Sequence, residues 1–207
     1  MASAALRKES PAGRDRDRLR EIIRIRSFGC GKIIRLVSGV DSNFYFNMKP
    51  TMLNPEGAEI LGRLIVERLV PLKVDYVGGL EMGAVPIVSV VTAESQRQGK
   101  PIGGFFVRKK AKEHGARLLV EGLAEGQTLE GRRIAILEDV CTTGGSALKA
   151  IEDAEASGAK VALVLALVDR EEGAAKLMAS RGLQFEALFS ASEFIPEGFD
   201  RLPKRAG

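Results

Sequence analysis

From residue 74 onward, short apolar runs alternate with amphipathic stretches of helical period, and this alternation restricts the fold more than any other feature of the chain. Residues 74–77, 101–107, 132–137, 161–168 and 184–188 read as strands, and residues 84–98, 146–157 and 171–181 as helices. Residues 134–137 (Ile-Ala-Ile-Leu) and 161–168 (Val-Ala-Leu-Val-Leu-Ala-Leu-Val) have no polar face. A strand of that kind must be covered on both sides. Strands separated by helices pair in parallel through crossover connections. The expected fold is therefore α/β, a doubly wound, mostly parallel sheet flanked by helices.

The first third of the chain reads differently. Residues 1–18 alternate Arg with Asp without apolar periodicity and are expected to form a disordered extension. Leu19, Ile22, Ile23 and Ile25 begin a short helix. Residues 32–37 and 43–47 read as two strands joined by a turn at 38–41. Asn54-Pro55-Glu56 is a helix start, with an Asn cap, Pro at the first position and an acid in the first turn, and that helix runs to about Leu69. This organisation predicts a small N-terminal hood over 19–72, its helix packing on a core over 73–207.

Composition narrows the class. At 45% hydrophobic residues the chain is an ordinary globular one. No apolar run is long enough to cross a bilayer, and the first twenty residues lack the apolar stretch of a secretory signal. Cys30 and Cys141 give neither a disulfide framework nor metal-ligand spacing, so a reduced cytoplasm is expected. The net charge of +4 suits a phosphate-rich small substrate as well as nucleic acid. The excess is concentrated in residues 7–26 and 108–112.

The segment over 132–149 carries the most chemistry. It reads strand, two acids (Glu138, Asp139), small-residue loop (Thr142-Thr143-Gly144-Gly145-Ser146), helix. In an open parallel sheet, ligands sit beyond the carboxyl ends of the strands. The loop offers unobstructed backbone N–H groups, three hydroxyls and the N-terminus of a helix, which together favour an anion. The acids cannot share that anion, and they suit sugar hydroxyls or a cation beside them. Phosphate followed by hydroxylated sugar is ribose 5-phosphate. A plain Thr/Gly turn with a helix cap is the alternative, and the two adjacent acids weigh against it, because uncompensated buried acids are costly. The segment lacks the Gly-Lys-Ser/Thr ending of a Walker loop and is not a dinucleotide fingerprint.

A second constellation lies over 108–115, Arg-Lys-Lys-Ala-Lys-Glu-His-Gly, which holds the only histidine. A solvated basic turn is one reading. The other is a lid that neutralises the charge of a leaving pyrophosphate and excludes water. A third is the glycine-bracketed loop over 78–83, a candidate pyrophosphate nest.

Leu137-Glu-Asp-Val-Cys-Thr-Thr-Gly-Gly-Ser146 closely resembles the signature of the type I phosphoribosyltransferases. The pattern Arg-Lys-x-x-Lys-x-His-Gly resembles the catalytic loop of the orotate phosphoribosyltransferases within that family. Ser38 to Asn47 resembles their hood, and Val168-Asp-Arg-Glu-Glu-Gly173 resembles the segment whose Arg binds the orotate carboxylate. The resemblance spans roughly residues 19–195. It implies transfer of a 5-phosphoribosyl group from phosphoribosyl pyrophosphate to orotate, in pyrimidine (UMP) biosynthesis. It assigns phosphoribosyl pyrophosphate to Glu81, Met82, Arg108, Lys109, Lys112, His114, Glu138, Asp139, Val140, Cys141, Thr142, Thr143, Gly144, Gly145 and Ser146, with Lys112, His114 and Asp139 catalytic. It assigns orotate to Tyr45, Phe46, Thr142 and Arg170. It implies Mg²⁺ held mainly through the substrate rather than by protein ligands, and a homodimer in which the 108–118 loop reaches the neighbouring site. It implies no nucleic-acid or membrane partner. A purine phosphoribosyltransferase and a non-catalytic sensor of phosphoribosyl pyrophosphate are the rival readings. Cys141 is expected to be a small packing residue rather than a reactive thiol. Family cations are replaced at three places: Val37 precedes the hood Ser-Gly, Val40 and Asp41 follow it, and Met82 stands in the pyrophosphate loop. Lys32 and Arg35 are the hood cations left to compensate.

Overall fold

The computed structural model describes residues 11–35, 41–110, 119–199 and 201–202. Five strands form one sheet in the order β4-β3-β7-β8-β9, and every neighbouring pair is parallel. They are β3 (Tyr76–Gly78), β4 (Gly103–Gly104), β7 (Arg133–Cys141), β8 (Lys160–Asp169) and β9 (Phe185–Ser190). Along β7, Ala135 and Leu137 join the core on one face and Ile134 and Ile136 the core on the other. That period of two is why the apolar run had no polar face. Helices α1 (Pro11–Arg26), α3 (Pro55–Leu69) and α4 (Ala84–Arg97) cover the first face. Helices α5 (Gly145–Ala156) and α6 (Ala174–Ser180) cover the second. The sheet is doubly wound, as expected.

Three local expectations need correction. Helix α1 begins at Pro11, so residues 11–18 belong to a helix and not to a disordered extension. The charges that suggested disorder are used in contacts: Arg63 donates to both Asp15 oxygens at 2.8 and 3.0 Å, Arg18 pairs with Glu56 on α3, and Arg16 and Arg20 reach Glu193. Residues 101–107 form two strands rather than one. After Gly104 the chain buries Phe105 against Gly78 and stays beside the β3 segment, with Phe105 N–H on Val77 O and Val107 N–H on Gly79 O, while β5 (Phe106–Val107) also pairs antiparallel with β6 (Val120–Glu121). Strand β7 does not stop at Leu137 but continues to Cys141, held by its ladder with β8. The two acids therefore sit on a strand.

The hood strands are β1 (Phe28–Arg35) and β2 (Asp41–Phe46), antiparallel with Phe28 opposite Phe46. Strand β1 starts earlier than expected because Gly29, Cys30 and Gly31 masked its pattern, and the register shifts between Cys30 and Ile34. The expected turn at 38–41 lies outside the described residues except for Asp41. The short helix α2 (Lys49–Met52) follows. Helix α3 starts as read: the Asn54 side chain accepts the Gly57 N–H at 3.0 Å. Phe28 and Phe46 stack within 5.9 and 5.3 Å of Phe194, which seats the hood on the turn after β9.

Candidate active site

The carboxyl end of β7 opens on a cleft of about 360 Å³. Glu138 is 6% exposed, and its Oε1 has no hydrogen-bond partner among the described residues. Burial, then the neighbouring Asp139 charge, push its pKa up to about 8, with Lys109 opposing. Burial also raises Asp139, against a hydrogen bond from Val140 N–H to Asp139 Oδ1 at 2.9 Å and the field of Lys49. A buried carboxyl oxygen with no partner and a charged neighbour is a poor structural choice and a good place for a ligand hydroxyl.

Beyond the acids, Thr142 and Ser146 line the cleft and α5 begins at Gly145. Gly144 caps the helix with φ of +90°, and a Cβ there would stand 3.0 Å from Met178 Cε, so only glycine suits the turn. Thr143 and Gly145 are exposed beside it. The N-terminus of this helix and the two hydroxyls on the cleft are an arrangement that can receive an anion. Cys141 is buried, and burial pushes its thiol up to about 12, which makes it the packing residue expected.

On the opposite wall, the loop after β3 brings Glu81, Met82 and Gly83 to the cleft. It is held by Glu81 N–H donating to Val107 O at 2.8 Å, and Glu81 Oε1 accepts the Lys109 N–H at 2.8 Å. Lys149 Nζ donates to Lys109 O at 2.7 Å. Lys109 faces the cleft; Arg108 does not line it, but pairs with Glu121 at 3.1 Å. A Cβ at Gly83 would meet Asp139 Oδ1 at 2.6 Å, so the loop needs glycine to approach the acid. Lys112 and His114 lie outside the described residues.

The hood and the end of β8 close the remaining side. Phe46 lines the cleft, but Tyr45 does not: successive strand residues face opposite ways, and the Tyr45 ring lies over Gly29. Arg170 reaches the cleft and is 2% exposed. Its Nε donates to Glu172 Oε1 at 2.7 Å, Nη1 to Phe44 O at 3.3 Å and Nη2 to Ser42 Oγ at 3.0 Å. Its guanidinium also stacks 4.2 Å from the Phe44 ring centre. Arg170 thus pairs with Glu172, but as a buried residue aimed by the hood, not as a surface ion pair. Lys32 and Arg35 are exposed on β1 and line no part of the cleft. Lys49 does.

An orotate phosphoribosyltransferase of Rhodopseudomonas palustris (strain TIE-1) is 59% identical over 180 residues, covering 87% of this chain and 96% of the relative. The chain belongs to the orotate phosphoribosyltransferase family. Among solved structures, the orotate phosphoribosyltransferase of Mycobacterium tuberculosis H37Rv in complex with Fe(III) dicitrate superposes with a TM-score of 0.75 at 32% identity, covering 87% of this chain and 98% of that one. The same enzyme in complex with phosphoribosyl pyrophosphate gives 0.71 at 29% identity, covering 89% and 94%. No family model matches the chain.

In this orotate phosphoribosyltransferase family member, sequence reasoning missed Lys49. It lies in a Met-Lys-Pro-Thr stretch without charge clustering, beyond the hood motif. Only the path of the chain from β2 into α2 brings it to the acids. Among the described residues no cluster of three or more His, Cys, Asp or Glu is set to hold a metal.

Proposed function

We propose that the chain transfers the 5-phosphoribosyl group of phosphoribosyl pyrophosphate to orotate, giving orotidine 5'-phosphate and pyrophosphate. The observation that carries this reading is one cleft in which an anion seat (Thr142, Ser146), two carboxyls (Glu138, Asp139) and a buried guanidinium (Arg170) follow one another. Those groups match phosphate, ribose and carboxylated base in the order the product joins them.

In this reaction the bond from ribose C1 to the pyrophosphate oxygen breaks and a bond to the orotate ring nitrogen forms, the N–H giving up its proton. Positive charge builds on the ribose as in glycoside chemistry. The loop at 142–146 holds the 5-phosphate. Glu138 and Asp139 hold the ribose hydroxyls, and the unpartnered Glu138 Oε1 is the atom that gains a partner. Lys109, with Lys112 and His114 of the following loop, steadies the departing pyrophosphate. Arg170 takes the orotate carboxylate, for which a guanidinium fork is well shaped, and Phe46 packs on the ring.

Mg²⁺ fits the cleft: its acidic donors are all oxygens, and two adjacent carboxylates without a third protein ligand suit an ion that arrives on substrate phosphates. It would be held mainly through substrate oxygens, beside Asp139 and Glu138, and when bound it supplies charge neutralisation at the pyrophosphate. The reading also makes the protein a cytoplasmic homodimer, its 108–118 loop serving the partner's cleft.

The test is the loss of orotate absorbance with phosphoribosyl pyrophosphate and Mg²⁺. Steady consumption is expected. No consumption, with turnover on adenine or hypoxanthine, would move the chain to the purine enzymes. Mixing Lys112→Ala with Asp139→Asn subunits tests the dimer, since hybrid dimers regain one intact site only if the loop crosses.

A further inference from the structure

We infer that Lys49 is a pyrophosphate-binding residue, supplying from the hood side the cation that Met82 does not supply from the loop at 79–83. The inference rests on the proposed use of phosphoribosyl pyrophosphate.

The placement of Lys49 is rigid. It is the first residue of α2, and Pro50 behind it fixes the helix start. Met48 and Met52 are 0% and 2% exposed on either side. Thr51, fully buried, shares a hydrogen bond with Ser27 at 2.7 Å. The backbone is pinned at three points while the Lys49 side chain stays exposed on the cleft. Helix α2 packs against α4, and α4 begins at Ala84, directly after Met82 and Gly83. That sets Lys49 across from the loop. Its field is felt at Asp139, the acid that Gly83 touches.

The charge inventory then decides the role. Pyrophosphate is a compact polyanion, and the cleft walls also carry Glu81, Glu138 and Asp139. Of the described cations nearby, Arg108 is paired with Glu121 and Arg170 with Glu172, which leaves Lys109 on the loop side and Lys49 on the hood side of the cleft. The Lys49 ammonium makes no hydrogen bond or ion pair among the described residues, while its backbone N–H donates to Asn47 Oδ1 at 3.4 Å, so the charged end can meet an incoming phosphate without first breaking a contact. An exposed lysine held unpaired beside two acids, opposite a loop in which Met82 stands in place of a cation, is placed for the leaving group and not for the base, which Arg170 serves.

The competing role is a counter-charge for Asp139 with no ligand contact. The full-length protein and its Lys49→Ala, Lys49→Arg and Lys49→Ala/Met82→Lys variants separate the two. For Lys49→Ala, the KM for phosphoribosyl pyrophosphate and the dissociation constant of Mg-pyrophosphate, measured by calorimetry without orotate, should each rise about tenfold or more. The orotate KM and the melting temperature should stay at the parent values. Lys49→Arg should recover most of the loss, and Met82→Lys should restore pyrophosphate affinity in the alanine background. Unchanged pyrophosphate binding overturns the inference, as does a rise confined to the orotate KM. If the parent consumes no orotate, the transferase reading fails, yet pyrophosphate calorimetry on parent and variant still decides the role of Lys49.

Discussion

Ser42 and Arg170 are 128 residues apart in the chain, and Arg170 Nη2 donates to Ser42 Oγ at 3.0 Å. With the bond from Nη1 to Phe44 O, this makes one guanidinium the clasp between hood and sheet. The group proposed to take the orotate carboxylate is thus aimed by the same strand that supplies Phe46.

Arg170→Lys should therefore fail twice. A point charge cannot serve Glu172, Phe44 and Ser42 together. Stability should fall by about 3 kcal/mol, since a half-broken buried pair is costly, and the orotate KM should rise by more than about tenfold. Ser42→Ala removes one bond and should cost about 1 kcal/mol, with a smaller rise in orotate KM. Urea melts and steady-state kinetics read both. An orotate KM that ignores Ser42→Ala would separate hood attachment from base binding.

Glu138 gives the ligand-free protein a pH dependence of defined sign. Its pKa is about 8 when folded, against an ordinary value of 4.5. Between those values the folded chain holds a proton that the unfolded chain has released, so stability is fully present at the low end and is lost as pH rises through about 8. Glu138→Gln should flatten this slope, because an amide mimics the protonated acid. Melting temperatures across that range check it; parallel slopes in parent and variant would mean that Glu138 ionises normally.

Gly83→Ala places a methyl 2.6 Å from Asp139 Oδ1. The acid must move, and it is tied to the Val140 N–H. We expect the KM for phosphoribosyl pyrophosphate to rise and kcat to fall, together by about a hundredfold in kcat/KM, because misplacements of an ångström carry costs of that size. The melting temperature should change little. Parent-like kinetics would show that Asp139 swings aside without cost.

Glu81→Ala deletes the acceptor of the Lys109 N–H, the contact at the root of the basic loop. Stability should change by less than about 1 kcal/mol, and kcat should drop by roughly tenfold. Glu81→Gln keeps an oxygen there and should retain most of the activity. A drop in both variants alike would point to the charge of Glu81 instead of the bond.

The parts legible in the sequence were those set by local pattern. The apolar runs of β7 and β8, the Asn54 cap of α3 and the Thr/Gly loop before α5 each announce themselves within ten residues. What stayed hidden depends on distant partners. The Arg/Asp alternation of α1 is indistinguishable from a solvated tail until Arg63, Glu56 and Glu193 come beside it. Lys49 has no motif, and only the seating of α2 on α4 makes it a cleft residue. Tyr45 and Phe46 are neighbours in a motif, yet a strand turns them to opposite faces. Arg108 follows the family pattern, but Glu121 on β6 draws it aside.

The grip of Arg16 and Arg20 on Glu193 also sets an order of assembly. A ribosome reaches Glu193 only 167 residues after Arg26, the last residue of α1. While α3 is new, α1 can lean on it through Arg63 and Glu56. Its final latch must wait for the last strand, on the order of ten seconds at ordinary elongation rates. For that interval α1 lacks its contacts to Glu193, so its full set of partners exists only once the core strands have been made.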